Sequence, residues 1–284
     1  MKTLLVFIAY IILVPLIGGL LAGLDRIITA RMQSRVGPSI FQSFYDVFKL
    51  LKKENLVVRR SQNFYMLFYL IVIIFTGALF FTGGDLLLVV FAFALADIFF
   101  VLGGFKSSSP YSFVGAQREL IQMAAFDPME LLAVVGMYMV TNSFYALDII
   151  KSDKLLFLYL PGLFIGFIII ACIKFRKSPF DLSTSHHAHQ ELVKGITTEF
   201  SGKTLALIEI GHWFESMLVL GFIFLFFSHN WIIGILMTLV VYFIVILIDN
   251  VFARIKWQMT LFSVWALTLI LGVTNIIVLY LFKI

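Results

Sequence analysis

Six ionisable residues stand inside runs that are otherwise apolar: Asp97, Asp127, Glu130, Glu209, His212 and Glu215. Carboxylates and imidazoles at such positions can take up and release protons, and charges in apolar segments are expensive and usually functional. Asp127 and Glu130 are three residues apart and share a face if the segment is helical. Glu209, His212 and Glu215 advance by the same step and spread over a modest arc. Pro128 frees a backbone carbonyl beside the first pair and makes room for water. The other reading of each acid is helix-to-helix glue, which is less attractive for five acids at one depth. A second group lies in the polar stretch 177–202: Asp181, His186, His187, His189, Glu191 and Glu199. A metal site needs three or four convergent ligands, and the H-x₃₋₅-H spacing is missing, so no metal is expected. The histidines read instead as a hydrogen-bonded or proton-relaying cluster at a protein interface.

The elements that must position these residues follow from composition. The chain has 284 residues, 61% hydrophobic and 13% charged, with a mean hydropathy of +1.04. A soluble domain has about 25% charged residues. Apolar runs of 18 or more recur, each long enough for a bilayer core of roughly 30 Å. Backbone groups in lipid must be paired internally, so the runs should be helices. The expectation is an all-α polytopic membrane protein, one integral membrane domain over 1–284. Eight spans are predicted, near 3–24, 63–82, 86–105, 119–146, 155–173, 204–228, 231–249 and 259–282. Loops 25–62, 106–118, 174–203 and 250–258 hold 17 of the 21 Lys and Arg. That asymmetry places them in the cytoplasm and both termini outside. The first span should be retained, because its positive charge follows the apolar run.

The depths of the acids can then be read from the span ends. Asp97 is nine residues from Lys106 and Asp127 nine from Arg118, roughly 13 Å deep by helical rise. Glu209 falls at about 9 Å, and Glu130 and Glu215 at about 18 Å. The outer halves offer only Tyr138, Asn142 and Asn275, with Asp85 at the outer surface and Asp249 at the cytoplasmic end of span seven. The pattern is half a proton path, open inside and closed outside. In the first loop, Ile40, Phe41, Phe44, Phe48 and Leu51 recur at helical spacing after the Gly37-Pro38 turn. They predict an amphipathic helix in the membrane interface, either a surface anchor or the roof of a binding surface.

Other classes are excluded or disfavoured. The lone Cys172 makes no intrachain disulfide and no iron–sulfur site. There is no P-loop, dinucleotide fingerprint or HExxH. The net charge of +5 reflects topology and gives little reason to expect nucleic acid binding. The absent inverted repeat argues against a secondary transporter.

The stretches "RVGPSIFQSFYDVFKLLKKE", "VGAQRELIQMAAFDPME" and "SPFDLSTSHHAHQELVKGITTEFSG" resemble three loop signatures of the subunit 1/H family of respiratory complex I. Within it the chain looks most like the membrane subunits of Ech-type energy-converting nickel–iron hydrogenases. Quinone-reducing members usually carry a doubled Gly-Pro, a Glu-rich stretch after Pro-Phe-Asp-Leu, and a Glu where this chain has Asp127. Here Gly37-Pro38 stands alone and "STSHHAHQ" precedes Glu191. The departures favour the hydrogenase branch. The resemblance implies a membrane anchor and coupling subunit in a prokaryotic inner membrane. Its partners would be a nickel–iron large subunit, an iron–sulfur small subunit and an antiporter-like membrane subunit, with ferredoxin acting indirectly. It implies no catalytic residue, metal or cofactor in this chain. Arg35, Asp46, Arg118, Glu119, Asp181, His186, His187, His189, Glu191 and Glu199 would lie in coupling loops. The alternatives are a quinone-site-forming subunit of a complex I-type NADH dehydrogenase and a formate hydrogenlyase membrane subunit.

Overall fold

The computed structural model describes residues 2–56, 60–184 and 192–282. In chain order it has α1 (Lys2–Met32), α2 (Gln42–Lys52), α3 (Arg60–Phe81), α4 (Leu86–Phe105) and α5 (Pro110–Thr141). Short α6 (Ala146–Lys151) and α7 (Leu156–Tyr159) precede α8 (Pro161–Lys174). Then come α9 (Gly202–Leu225), α10 (Trp231–Val251) and a last rod. That rod is α11 (Trp257–Leu267), a π-helical turn Thr268–Val273 and α12 (Thr274–Phe282). Among the described residues there is no strand, only an isolated bridge between Asp85 and Tyr145.

Seven helices are long and apolar enough to cross a membrane: α1, α3, α4, α5, α9, α10 and the last rod. The chain is therefore a multi-pass membrane protein. The predicted span 155–173 is the exception. It is broken by Pro161 into four-residue α7 and 14-residue α8. At about 1.5 Å per residue, α8 is about 21 Å long. Asn275 of α12 bridges the break, accepting from the Leu163 N–H at 3.3 Å and donating to the Tyr159 carbonyl at 3.1 Å. The predicted loop 106–118 is also mostly helix, because Pro110 sits in the first turn of α5, where its missing N–H costs nothing.

The helix ends are encoded locally. Asp85 caps α4 by accepting from Leu87 N–H at 2.8 Å. Asn230 caps α10 by accepting from the N–H groups of Ile232 and Ile233. Asn142 ends α5 in the left-handed region at φ 57°.

The connections gather at two ends of the bundle. At one end, Lys177 joins Asp25 and Asp249, Gln33 joins Asn250, and the Leu56 N–H donates to Ser201. At the other, the Leu86 N–H bonds the Phe144 carbonyl and the Phe157 N–H bonds the Phe226 carbonyl. The segment from Phe157 to Lys174 thus runs from one end to the other.

Between the ends, α4, α5 and α9 are the centre. Just over half of their apolar windows is buried (56%), against 22% for α1, α10 and the last rod. Lipid tails are as apolar as leucine, so close packing must hold these helices together. Phe222 of α9 stacks near Phe80 at 5.0 Å and Phe167 at 5.6 Å between ring centres. All five predicted acids belong to the three central helices.

Helix α2 forms where the alternation predicted it, but its faces divide differently. Ser43 and Val47 are buried, and Phe44 meets Trp213 of α9 at 5.2 Å. Phe41, Phe48 and Leu51 are exposed, as is Tyr45. The apolar stripe is shared between the protein and the surroundings.

Candidate functional site

The site begins at the end of α8. Arg176 lies just past the helix at φ 52°. Its N–H donates to Ile173 O and the N–H of Lys177 donates to Cys172 O, both at 2.9 Å. This is a Schellman termination with arginine at the left-handed position that glycine normally takes. The backbone cost of a non-glycine residue there is about 1–2 kcal/mol. The turn folds the guanidinium back against α5 and α9. It bonds Glu119 at 3.2 Å, lies 3.9 Å from Glu215 and contacts Nε2 of His212. Phe100 packs below it, 4.9 Å from ring centre to Cζ. Burial disfavours its charge, but Glu119 and Glu215 outweigh that and raise its pKa, so it stays a cation.

Tyr69 of α3 completes this group. Its hydroxyl donates to Glu215 at 3.3 Å. The ring can lie there because Gly211, one turn before Glu215, has no side chain; a Cβ would strike the Tyr69 ring. Tyr69 and Phe100 also flank the His212 ring, at 6.3 and 5.8 Å.

Lys174, the last residue of α8, forms the second group. It pairs with Asp97 of α4, both buried. Its ammonium lies 3.4 Å from the Phe93 ring centre and 4.2 Å from that of Phe126. Glu130 of α5 interacts electrostatically with the same ammonium. Glu130 is buried, and its Oε1 has no hydrogen-bond partner. Asp127 and Glu209 are half-buried on α5 and α9.

A third group holds the loop end together. Lys177 bridges Asp25 at 2.7 Å and Asp249 at 3.0 Å, and Ser178 N–H donates to Asp249. Burial opposes the Lys177 charge, but Asp25 and Asp249 raise its pKa overall. Asp181 is buried and pairs with Arg254. Gln122 of α5 donates to Phe180 O at 2.6 Å. Ile196, in a short 3-10 turn Gly195–Thr197, is fully buried against Gly104 and Gly115.

Not every predicted residue joins these groups. Asp46 pairs with Arg26 at 2.6 Å and accepts from Gln42 at 3.0 Å. Burial works against its charge, but those partners and Lys49 lower its pKa. Arg35 is exposed and donates to Gln33; Glu199 is half-buried, and Arg118, also half-buried, has a partner of its own. His186, His187, His189 and Glu191 lie outside the described residues. Among the described residues, no three His, Cys, Asp or Glu could hold a metal ion.

The acids are not alone in the site. Lys174 and Arg176 stand between them, so the site alternates acid and base. Sequence reasoning counted both as loop charges and passed over Tyr69 and Gln122. A polar residue beside a glycine-bearing helix gave no signal in one dimension. Arg176 is the hub: a fixed cation that holds Glu119, His212 and Glu215 together, with Tyr69 on Glu215, so that the acids and the imidazole, not the guanidinium, are the groups able to take up and release a proton.

The sequence profile of the NADH dehydrogenase family matches residues 3–280. The chain belongs to that family, the subunit 1/H family. It is 31% identical to hydrogenase-4 component C of Escherichia coli over 72% of this chain and 69% of that one. It is 28% identical to formate hydrogenlyase subunit 4 of the same organism, over 71% and 70%. An H-type subunit of the NADH-quinone oxidoreductase of Syntrophobacter fumaroxidans is 27% identical over 93% and 90%. The fold is shared with a chain of the archaeal membrane-bound sulfane sulfur reductase. That match has a TM-score of 0.88 at 24% identity and covers 98% of this chain and 99% of that one. Members of this subunit 1/H family are membrane subunits of oxidoreductase complexes.

Proposed function

We propose that this chain is the membrane anchor and coupling subunit of an energy-converting hydrogenase. Its loop signatures and its similarity to two hydrogenase-complex components support that reading. The observation that carries it is the linked run of Glu119, Arg176, His212, Glu215 and Tyr69 where the loop end meets the central helices. In this reading the chain is one integral membrane domain crossing the prokaryotic inner membrane eight times. The basic loops face the cytoplasm and dock the nickel–iron and iron–sulfur subunits, which hold the redox centres. Ferredoxin delivers electrons to those partners. The coupling loops include Arg35, Asp46, Arg118, Glu119, Asp181, Glu199 and the stretch with His186, His187, His189 and Glu191. Asp97, Asp127, Glu130, Glu209, His212 and Glu215 carry H⁺, or coordinate the movement of Na⁺, toward an antiporter-like neighbour.

Asp127→Asn and Glu215→Gln test this. Both keep shape and hydrogen bonding but cannot carry the proton. Hydrogen evolution in detergent should persist, while ion pumping in sealed vesicles falls severalfold. Wild-type pumping in both variants would refute the path. A second reading, a quinone-site subunit of a complex I-type enzyme, is favoured by the longer match to the NADH-quinone oxidoreductase relative. Quinone co-purifying with the intact complex selects it.

A further inference from the structure

The hydrogen-bond gap in α5 beside the acids is filled by a residue from another helix. Pro128 lies inside α5. It has no N–H, and its ring crowds the carbonyl four residues earlier, that of Ala124. Ala124 is exposed on the side of the bundle, where that carbonyl would face lipid unpaired. The indole Nε1–H of Trp265, from α11, donates to Ala124 O at 2.9 Å. A side chain from the last rod thus replaces the backbone bond that Pro128 removes.

The surroundings make the bond more than a surface contact. A groove of about 330 Å³ opens beside it, lined by Pro128, Leu131, Leu132, Trp265, Thr268 and Leu269. Its far wall is the π-helical turn Thr268–Val273, which begins three residues after Trp265. Short π segments inside helices recur at functional sites. Asp127 immediately precedes Pro128 and Glu130 follows it by two residues. Because Glu130 Oε1 has no hydrogen bond of its own, the course of α5 sets where that carboxyl stands.

We propose that Trp265 is a positioning residue: its bond to Ala124 O fixes the course of α5 at Pro128 and so places Asp127 and Glu130. The role of those two acids rests on the proton-path reading above; the bond does not.

The test is a double-mutant cycle on the assembled complex. Trp265→Phe keeps an aromatic ring at the position and deletes the donor. Pro128→Ala restores an N–H able to reach Ala124 O. Hydrogen exchange of amides 125–127 and 129–132 should quicken about fivefold in Trp265→Phe, the size one lost hydrogen bond supports. In the Pro128→Ala background the same substitution should add nothing. Unchanged exchange in the single variant, or an equal increase in both backgrounds, overturns the proposal. If Trp265→Phe does not assemble, rescue by Pro128→Ala supports it and lack of rescue overturns it. Ion pumping per hydrogen evolved should fall in Trp265→Phe and recover in the double variant. If Asp127→Asn abolishes pumping while Trp265→Phe does not affect it, positioning is wrong. If Asp127→Asn itself pumps normally, the proton path fails, and the bond is still judged by exchange.

Discussion

Lys174 and Asp97 show how a charge at the end of a helix changes meaning once its depth is known. In sequence, Lys174 sits one residue past a predicted span and counts toward the basic side. In the structure the helix is short, and the ammonium is buried between two aromatic rings with Asp97 as its ion partner. Asp97 was legible because an acid in an apolar run is rare; its partner was not, because basic residues at span ends are common. Removing one member strands the other, at a cost of about 3–5 kcal/mol. Lys174→Met should therefore lower the melting temperature of the purified complex sharply, and Lys174→Met with Asp97→Asn should recover most of the loss. A double variant as unstable as the single would show that Lys174 acts through packing alone. The exposed pair Arg26–Asp46 behaves differently. Its lowered carboxyl pKa adds stability above the ordinary carboxylate range, lost only as pH falls through the lowered value. Between pH 5 and 8, Asp46→Asn should shift melting by a constant small amount, from less than about 1 kcal/mol.

At the scale of elements, hydrophobic length found the seven long helices and helical periodicity found α2. Their limits have one cause. In a membrane protein both the lipid-facing and the protein-facing sides are apolar, so a stripe does not say which side it meets. Phe44 and Phe48 belong to the same stripe, yet the first packs on Trp213 and the second is exposed. The break at Pro161 was in the sequence as a proline, but its closure by Asn275 from a distant helix was not; the π turn left no pattern to read. The segment after α8 was recognised as polar, but not as a piece that inserts. Ile196 seats between Gly104 and Gly115; a Cβ on Gly115 would come within 2.8 Å of Gly195 C. Gly115→Val should dislodge this turn and speed exchange of the Ile196 amide, now bonded to Ser183 O at 3.0 Å. Unchanged exchange would mean that the loop is held elsewhere. The same segment bears on docking. Asp181→Ala also breaks the pair with Arg254, so loss of partner subunits in that variant has an internal explanation. Glu199→Ala is the cleaner probe. It should release the soluble subunits in a pull-down while leaving the stability of the purified membrane subunit within about 0.5 kcal/mol of wild type.

At the scale of the whole molecule, the orientation depends on whether α7 and α8 together cross the membrane. Seven crossings put the termini on opposite sides; eight put them on one side. The short α8, about 21 Å by helical rise, is less than a bilayer core of roughly 30 Å. Yet Phe157 meets Phe226 at one end of the bundle, while Lys177 meets Asp25 and Asp249 at the other. Most of α8 is packed against its neighbours, with Pro161 and Ile165 exposed on one side, so its length need not match the bilayer; broken helices are tolerated where protein covers them. The four basic connections then share one side, in line with the excess of Lys and Arg that marks the cytoplasm. A reporter active only outside the cytoplasm should work when fused after Ile284 and fail when inserted after Lys194. Activity at Lys194, or its absence at Ile284 in a complex that assembles, would leave seven crossings and take the 174–203 connection out of the cytoplasmic docking face.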